Sequence, residues 1–138
     1  MTTTFSGGCL CGAVHYQTTA TPVLTGNCHC RDCQRASGGP YSPTLFFPAE
    51  AVTITGEVRY FTSKGDSGHD VSRGFCPLCG SQLCGTVERM PGLLAIRAGT
   101  LNDPGAYQPA IDLYTSRAPH WDAMNPDLPK FAEMPPHA

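Results

Sequence analysis

Cys76-Pro77-Leu78-Cys79-Gly80 is the stretch that decides how this chain is read. A Cys-x-x-Cys turn lets both sulfurs point at one ion. The glycine that follows tolerates left-handed backbone, which frees amides to face the thiolates. Outward from this knuckle lie two further groups, Cys9-Leu10-Cys11-Gly12 and Cys28-His29-Cys30-Arg31-Asp32-Cys33. Together the three groups hold all but one of the chain's 8 cysteines. A lone Cys-x-x-Cys is a weak signal, but three clusters in 138 residues are a strong one for bound metal, with zinc the expected ion.

Ligand number sharpens the expectation. Structural zinc takes four protein ligands, whereas catalytic zinc takes three and keeps a position for a reactant. The clustered cysteines divide as four plus three: two separate pairs close one tetrahedron, and Cys28, Cys30 and Cys33 form a local triad that holds a second zinc. Spacing alone does not say which pairs belong together. Three other readings stay open: one four-cysteine site with spare thiols, a redox dithiol set, or an iron–sulfur cluster. The dithiol reading lacks a helical pattern after Cys79, and the spacings fit iron–sulfur runs poorly.

His29 is a candidate fourth ligand of the triad, but both its neighbours are proposed ligands, so its ring is expected to point away. Cys84 lies in an apolar run and reads as a buried small hydrophobe. His15 and His69 read as surface or packing residues, and His120 and His137 carry no readable role.

Between the clusters, 15 glycines and 13 prolines cut the chain into short segments. Runs rich in β-branched and aromatic residues predict strands at Val14–Thr18, Tyr41–Phe47, Val52–Thr55, Val58–Thr62, Val71–Phe75, Leu83–Val87, Leu93–Arg97 and Ile111–Tyr114. Gly56-Glu57 predicts a tight hairpin between two of them. One short helix is expected from about Arg31 to Ala36, ending at Gly38-Gly39. The tail from Pro119 reads as an irregular segment anchored by Trp121 and Phe131. The expected fold class is all-β, with short antiparallel strands pinned by zinc, in a single domain over residues 1–138.

Bulk properties exclude several function classes. The net charge of −2 gives no electrostatic case for nucleic acid or an anionic membrane surface. No apolar run approaches the ~20 residues that span a bilayer, and Met1 to Leu10 has neither a basic nor an apolar segment. The expected compartment is the cytoplasm, where structural disulfides are rare and eight cysteines call for metal.

The motifs occur in a recognisable order. Gly8-Cys9-Leu10-Cys11-Gly12-Ala13-Val14-His15-Tyr16, Cys28-His29-Cys30-Arg31-Asp32-Cys33-Gln34-Arg35 and Phe75-Cys76-Pro77-Leu78-Cys79-Gly80-Ser81 are followed by Gly99-Thr100-Leu101 and Ser116-Arg117-Ala118-Pro119-His120-Trp121. In this the chain resembles the glutathione-dependent formaldehyde-activating enzyme family, which includes the centromere protein V group, over roughly Phe5 to Phe131. The resemblance implies a β-tent fold. It also implies a structural zinc on Cys9, Cys11, Cys76 and Cys79, and a catalytic zinc on Cys28, Cys30 and Cys33.

The implied activity is that of a carbon–sulfur lyase. A thiol, glutathione or another small one, is activated at the three-cysteine zinc and joined to formaldehyde or a small aldehyde. Arg31, Arg35 and Arg73 are candidates for holding substrate carboxylates. The rival reading is a non-enzymatic β-tent zinc module, which a fourth protein ligand at the triad would favour.

Overall fold

In the computed structural model, which describes residues 4–135, the strands are β1 (Phe5–Gly8), β2 (His15–Thr18), β3 (Leu24–Cys28), β4 (Ser42–Pro48), β5 (Thr53–Thr55), β6 (Arg59–Lys64), β7 (Asp70–Phe75), β8 (Gln82–Val87), β9 (Leu93–Arg97) and β10 (Ile111–Leu113). One helix, α1 (Arg31–Ser37), interrupts them between β3 and β4. The protein is mostly β-sheet with one short helix, as the strand propensities predict. Two strands lie outside the predicted runs. β1 reads Phe-Ser-Gly-Gly and β3 reads Leu-Thr-Gly-Asn-Cys, and both are too poor in β-branched residues to announce themselves.

The strands form two sheets. A small one has the order β1-β2-β5, and a seven-stranded one runs β10-β3-β4-β9-β8-β7-β6. All pairings are antiparallel except β10 with β3, which is parallel and brings Asp112 opposite Asn27. The hairpin expected at Gly56-Glu57 does not form: β5 pairs with β2, and β6 pairs with β7 in the other sheet. Gly56 instead carries the chain between sheets at φ +102°, where a Cβ would lie 2.2 Å from the Ala13 carbonyl oxygen. Close approach of the backbone at Ala13 and Val14, which lead into β2, together with the positive φ, is what requires glycine there, not a two-residue turn.

The period-two alternation of the large sheet gives it two faces of different character. Leu45 and Phe47 of β4, Leu94 and Ile96 of β9 and Cys84 of β8 point to the core, where they meet Phe5, Val14 and Tyr16 from the small-sheet side. The Phe5 and Phe47 rings meet edge to face at 5.3 Å between centroids. Burying a side chain such as Phe47 contributes about 1.5–3 kcal/mol. A register shift between Gly74 and Phe75 leaves Leu83 as an extra residue on β8, so Leu83 and Cys84 both enter the core. Cys84 is thus the buried small hydrophobe its sequence context predicts.

The opposite face carries Gly26, Thr44, Gly85, Ala95, Arg73 and Arg97 and lines a cleft. The tail lies alongside β10. Its anchor differs from the sequence expectation, because Trp121 is 64% exposed. Backbone bonds between Asp112 and both Pro129 and Phe131 hold it, together with Lys130, whose Nζ lies 2.9 Å from Asp112 Oδ2. His137 lies outside the described residues.

Candidate functional site

Folding brings the first and third cysteine groups together. Cys9 and Cys11 leave the end of β1, and Cys76 and Cys79 form the connection from β7 to β8. Their sulfurs all lie within 4.8 Å of one another, with Cys9 to Cys11 at 3.6 Å and Cys11 to Cys76 at 3.8 Å. Tetrahedral zinc–thiolate geometry places sulfurs roughly 3.8 Å apart, so this donor set fits the ion. The local backbone is built for thiolates. Gly12 and Gly80 take φ +83° and +78°, closing matching turns in which Gly12 N bonds Cys9 O and Gly80 N bonds Cys76 O.

The Val14 amide donates to Cys9 Sγ at 3.2 Å, and the Ser81 hydroxyl lies 3.2 Å from Cys79 Sγ. Hydrogen bonds from the Ser81 side chain, its amide and the Cys11 amide bring the Cys79 thiol down to about 5. Leu10 and Leu78 stand exposed at the tips of the two turns.

The second group is a continuous turn. Cys28 ends β3, Cys30 caps α1, and Cys33 sits in the first turn of the helix, where its amide donates to Cys30 Sγ at 3.3 Å. A cysteine in the N-cap position takes the role that serine or aspartate usually has. The Gly38 amide closes the helix on Gln34 O at 2.8 Å with φ +76°, the left-handed end the sequence predicts. The three sulfurs also lie within 4.8 Å of one another. This soft, three-thiol set fits a thiophilic ion such as zinc. Neither His29 nor Cys84 belongs to it.

His29 is fully buried and turned from the triad, as expected. Its Nε2 lies 3.1 Å from Asp112 Oδ1 on β10, and its Nδ1 lies 3.0 Å from Asp122 Oδ2 in the tail, the latter contact off the line of a good hydrogen bond. Asn27 and Lys130 also reach Asp112, and Gln34 Nε2 donates to the carbonyls of His29 and Arg117. The turn that presents the cysteines is therefore fixed from behind by β10 and the tail.

In front of the triad stand two arginines. Arg73 of β7 lies 4.0 Å from Cys33 Sγ through Nη2, and its buried Nε has no partner among the described residues. Arg97 of β9 donates to Thr44 Oγ1 at 2.9 Å. Cys33 is held well below the usual thiol range by bonds from the Cys28 and Cys30 thiols, against its burial, and by the charges of Arg97 and Arg73. Cys28 is pushed up by its hydrogen bonds with Cys30 and Cys33, by burial and by the charges of the same two sulfurs.

Of the arginines proposed from sequence, Arg73 is placed at the triad. Arg31 is exposed and bonds Gln34 on its own helix, and Arg35 is exposed and lies outside the cleft lining. Arg97 was missed, although an arginine closing the apolar run Leu93-Leu94-Ala95-Ile96 was a signal that could have found it. His15 is exposed on β2, and exposed His69 pairs with Glu88 at 3.2 Å, both as expected of surface residues.

A β-fold carrying one four-cysteine and one three-cysteine cluster, the latter at the end of a cleft, has the donor sets of a small metal-binding protein. The sequence profile described as "Glutathione-dependent formaldehyde-activating enzyme" matches residues 4–117, and the chain belongs to that family. No curated protein sequence matches it. Among solved structures, a Rhodobacter sphaeroides protein studied as a structural-genomics target superposes with a TM-score of 0.57 at 15% identity. The alignment covers 91% of this chain and 99% of that one, a likeness of fold. No helix among the described residues is long and apolar enough to cross a membrane.

Proposed function

We propose that the protein is a zinc-dependent carbon–sulfur lyase. In this reading it joins a small thiol, glutathione or another, to formaldehyde or a small aldehyde at Cys28, Cys30 and Cys33. The observation that carries the proposal is the placing of this three-thiol set at the inner end of a cleft, facing Arg73 and Arg97. Zinc held by these three cysteines would favour the thiolate form of a substrate thiol and concentrate it as a nucleophile.

The chain's own residues do the rest. The guanidinium groups of Arg73 and Arg97 hold negative charge on sulfur beside the triad. The β3–α1 turn, fixed by Gln34 and by His29 between its aspartates, keeps the cysteine sulfurs converged. The cleft walls exclude water and hold the reactants side by side, where positioning lowers the barrier most. In the reaction the S–H bond breaks, a C–S bond forms at the carbonyl carbon, and the proton ends on the carbonyl oxygen. The product is a hemithioacetal and nothing is oxidised; C–S cleavage is the reverse.

Cys9, Cys11, Cys76 and Cys79 would hold a second, structural zinc, with residues 1–138 forming one zinc-pinned unit. Eight reduced thiols suit a reducing compartment such as the cytoplasm. The alternative of a non-enzymatic binding module called for a fourth protein ligand at the triad. The engagement of His29 with two aspartates and of Cys84 with the core weighs against it.

The test is carbon-13 NMR of labelled formaldehyde with a panel of thiols and zinc-loaded protein. Adduct should form or exchange faster than in buffer, and Cys33→Ser should abolish the acceleration. Equal rates with and without protein for every thiol would sink the enzyme reading.

A further inference from the structure

The cleft that ends at the triad is lined by residues of β3, β4, β7, β8, β9 and β10. Formaldehyde, with a single carbon, needs no such space, so in the reaction proposed above the cleft serves the body of the thiol. Its lining is largely apolar, with hydroxyls at Thr44, Ser67, Ser72, Thr86 and Tyr114. Small residues, Gly26 of β3, Gly85 of β8 and Ala95 of β9, make the floor on the large sheet. Leu24, Phe46, Val87, Met90, Leu113 and Met134 make the walls.

Five charged residues line it: Asp32, Arg73 and Arg97 lie by the cysteines, and Asp66 and Arg89, of opposite sign, lie on the β6–β7 and β8–β9 loops. The two inner arginines face sulfur, and no carboxylate pairs with either among the described residues. A glutathione body carries two carboxylates, an ammonium and two peptide units. Those that reach neither an arginine nor a hydroxyl would be desolvated against the leucine, phenylalanine, valine and methionine side chains.

We infer that the cleft takes a thiol with an uncharged, apolar body, its sulfur at the Cys28–Cys30–Cys33 end and its body along the sheet face. The inference rests on the thiol reading of the triad and narrows its substrate class. Complementarity runs along the whole length: a soft anionic head meets two guanidinium groups, and an aliphatic or aromatic body meets leucine, phenylalanine, valine and methionine. Two methionines in the walls give a surface that adapts to bodies of different shape.

Calorimetric titration of zinc-loaded protein tests this with phenylmethanethiol, 2-mercaptoethanol, glutathione, phenylmethanol and the alkanethiols from ethanethiol to butanethiol. Phenylmethanethiol should bind about tenfold or more tightly than glutathione. Affinity should rise about fourfold for each methylene from ethanethiol to butanethiol, the transfer value of a buried CH2. Val87→Thr and Met90→Gln, which change wall polarity at nearly constant volume, should weaken phenylmethanethiol several-fold and leave 2-mercaptoethanol unchanged.

Glutathione binding as tightly as phenylmethanethiol, with both lost in Cys33→Ser, would overturn the apolar-body inference and leave the thiol reading standing. Phenylmethanol binding as tightly as phenylmethanethiol, or thiol binding indifferent to Cys33→Ser, would overturn both.

Discussion

The four-cysteine cluster joins two loops whose nearest members, Cys11 and Cys76, are 65 residues apart. The three-cysteine cluster is confined to the single turn from Cys28 to Cys33. The first lies outside the large sheet's cleft, its thiols served by amides and by the Ser81 hydroxyl, with no arginine among the groups that shift Cys9 or Cys79. The second sits at the inner end of the cleft, with Arg73 and Arg97 in front and a buried His29 between two aspartates behind. One ligand type thus serves two ends. On the proposed reading, the cross-link between distant segments stabilises the fold, and the local cluster at the cleft is the one placed for chemistry.

The comparison breaks most sharply at Cys79→Ser. A structural zinc site contributes apparent binding energies of about 10–16 kcal/mol, as large as the whole stability of a domain, about 5–15 kcal/mol. The variant should be insoluble or lack a cooperative melting transition by circular dichroism. A wild-type melt would show that the link between β1 and the β7–β8 loop does not hold the fold.

His29→Ala comes next. It removes the buried imidazole from between Asp112, which keeps Asn27 and Lys130, and Asp122, a change that costs about 1–3 kcal/mol. Denaturant melts should show that loss, and elemental analysis should show less metal at the triad while the four-cysteine site stays filled. Equal loss from both sites would mean the two clusters are not independent.

Cys33→Ser should move function and not folding. Only a short local loop is released, so the melting midpoint should stay within a few degrees. Zinc should fall from two per chain to about one, and thiol–aldehyde turnover should fall by about 100-fold or more. The visible spectrum of cobalt-loaded wild type should change on adding thiol and stay fixed in Cys33→Ser; a variant that keeps the response would remove Cys33 from the site.

Arg73→Lys sharpens the role of the cleft charges. Lysine keeps the charge and loses the planar fork, so thiol affinity should fall about tenfold, the order of a charged hydrogen bond, with zinc content unchanged. Smallest of all is Cys84→Ser. It places a hydroxyl in the core beside Tyr60, whose hydroxyl lies 3.8 Å from Cys84 Sγ. A loss of about 1–2 kcal/mol in stability is expected, with no change in zinc content.

Much of this architecture is local and was therefore legible in the chain. The runs that became β2 and β4 to β10 are rich in β-branched and aromatic residues, and α1 ends at a glycine stop. The division of cysteines into four and three needed only spacing and ligand number, and the Gly12 and Gly80 turns follow from residue type. β1 and β3 were not legible because their glycines are there for neighbours. A Cβ on Gly7 would lie 2.2 Å from the Thr100 carbonyl oxygen, and one on Gly26 would lie 3.0 Å from Ile111.

Only tertiary structure decided what surrounds the triad. Arg73 and Arg97 reach it from two strands far along the chain, and Asp112 and Asp122 reach His29 from β10 and the tail. Sequence determined that seven sulfurs are available and how they group, because ligand type and spacing are properties of the chain. Which charges face them, and how apolar the cleft beside them is, depends on which sheet face each strand turns inward. That is set by register and by packing against the core on the other side.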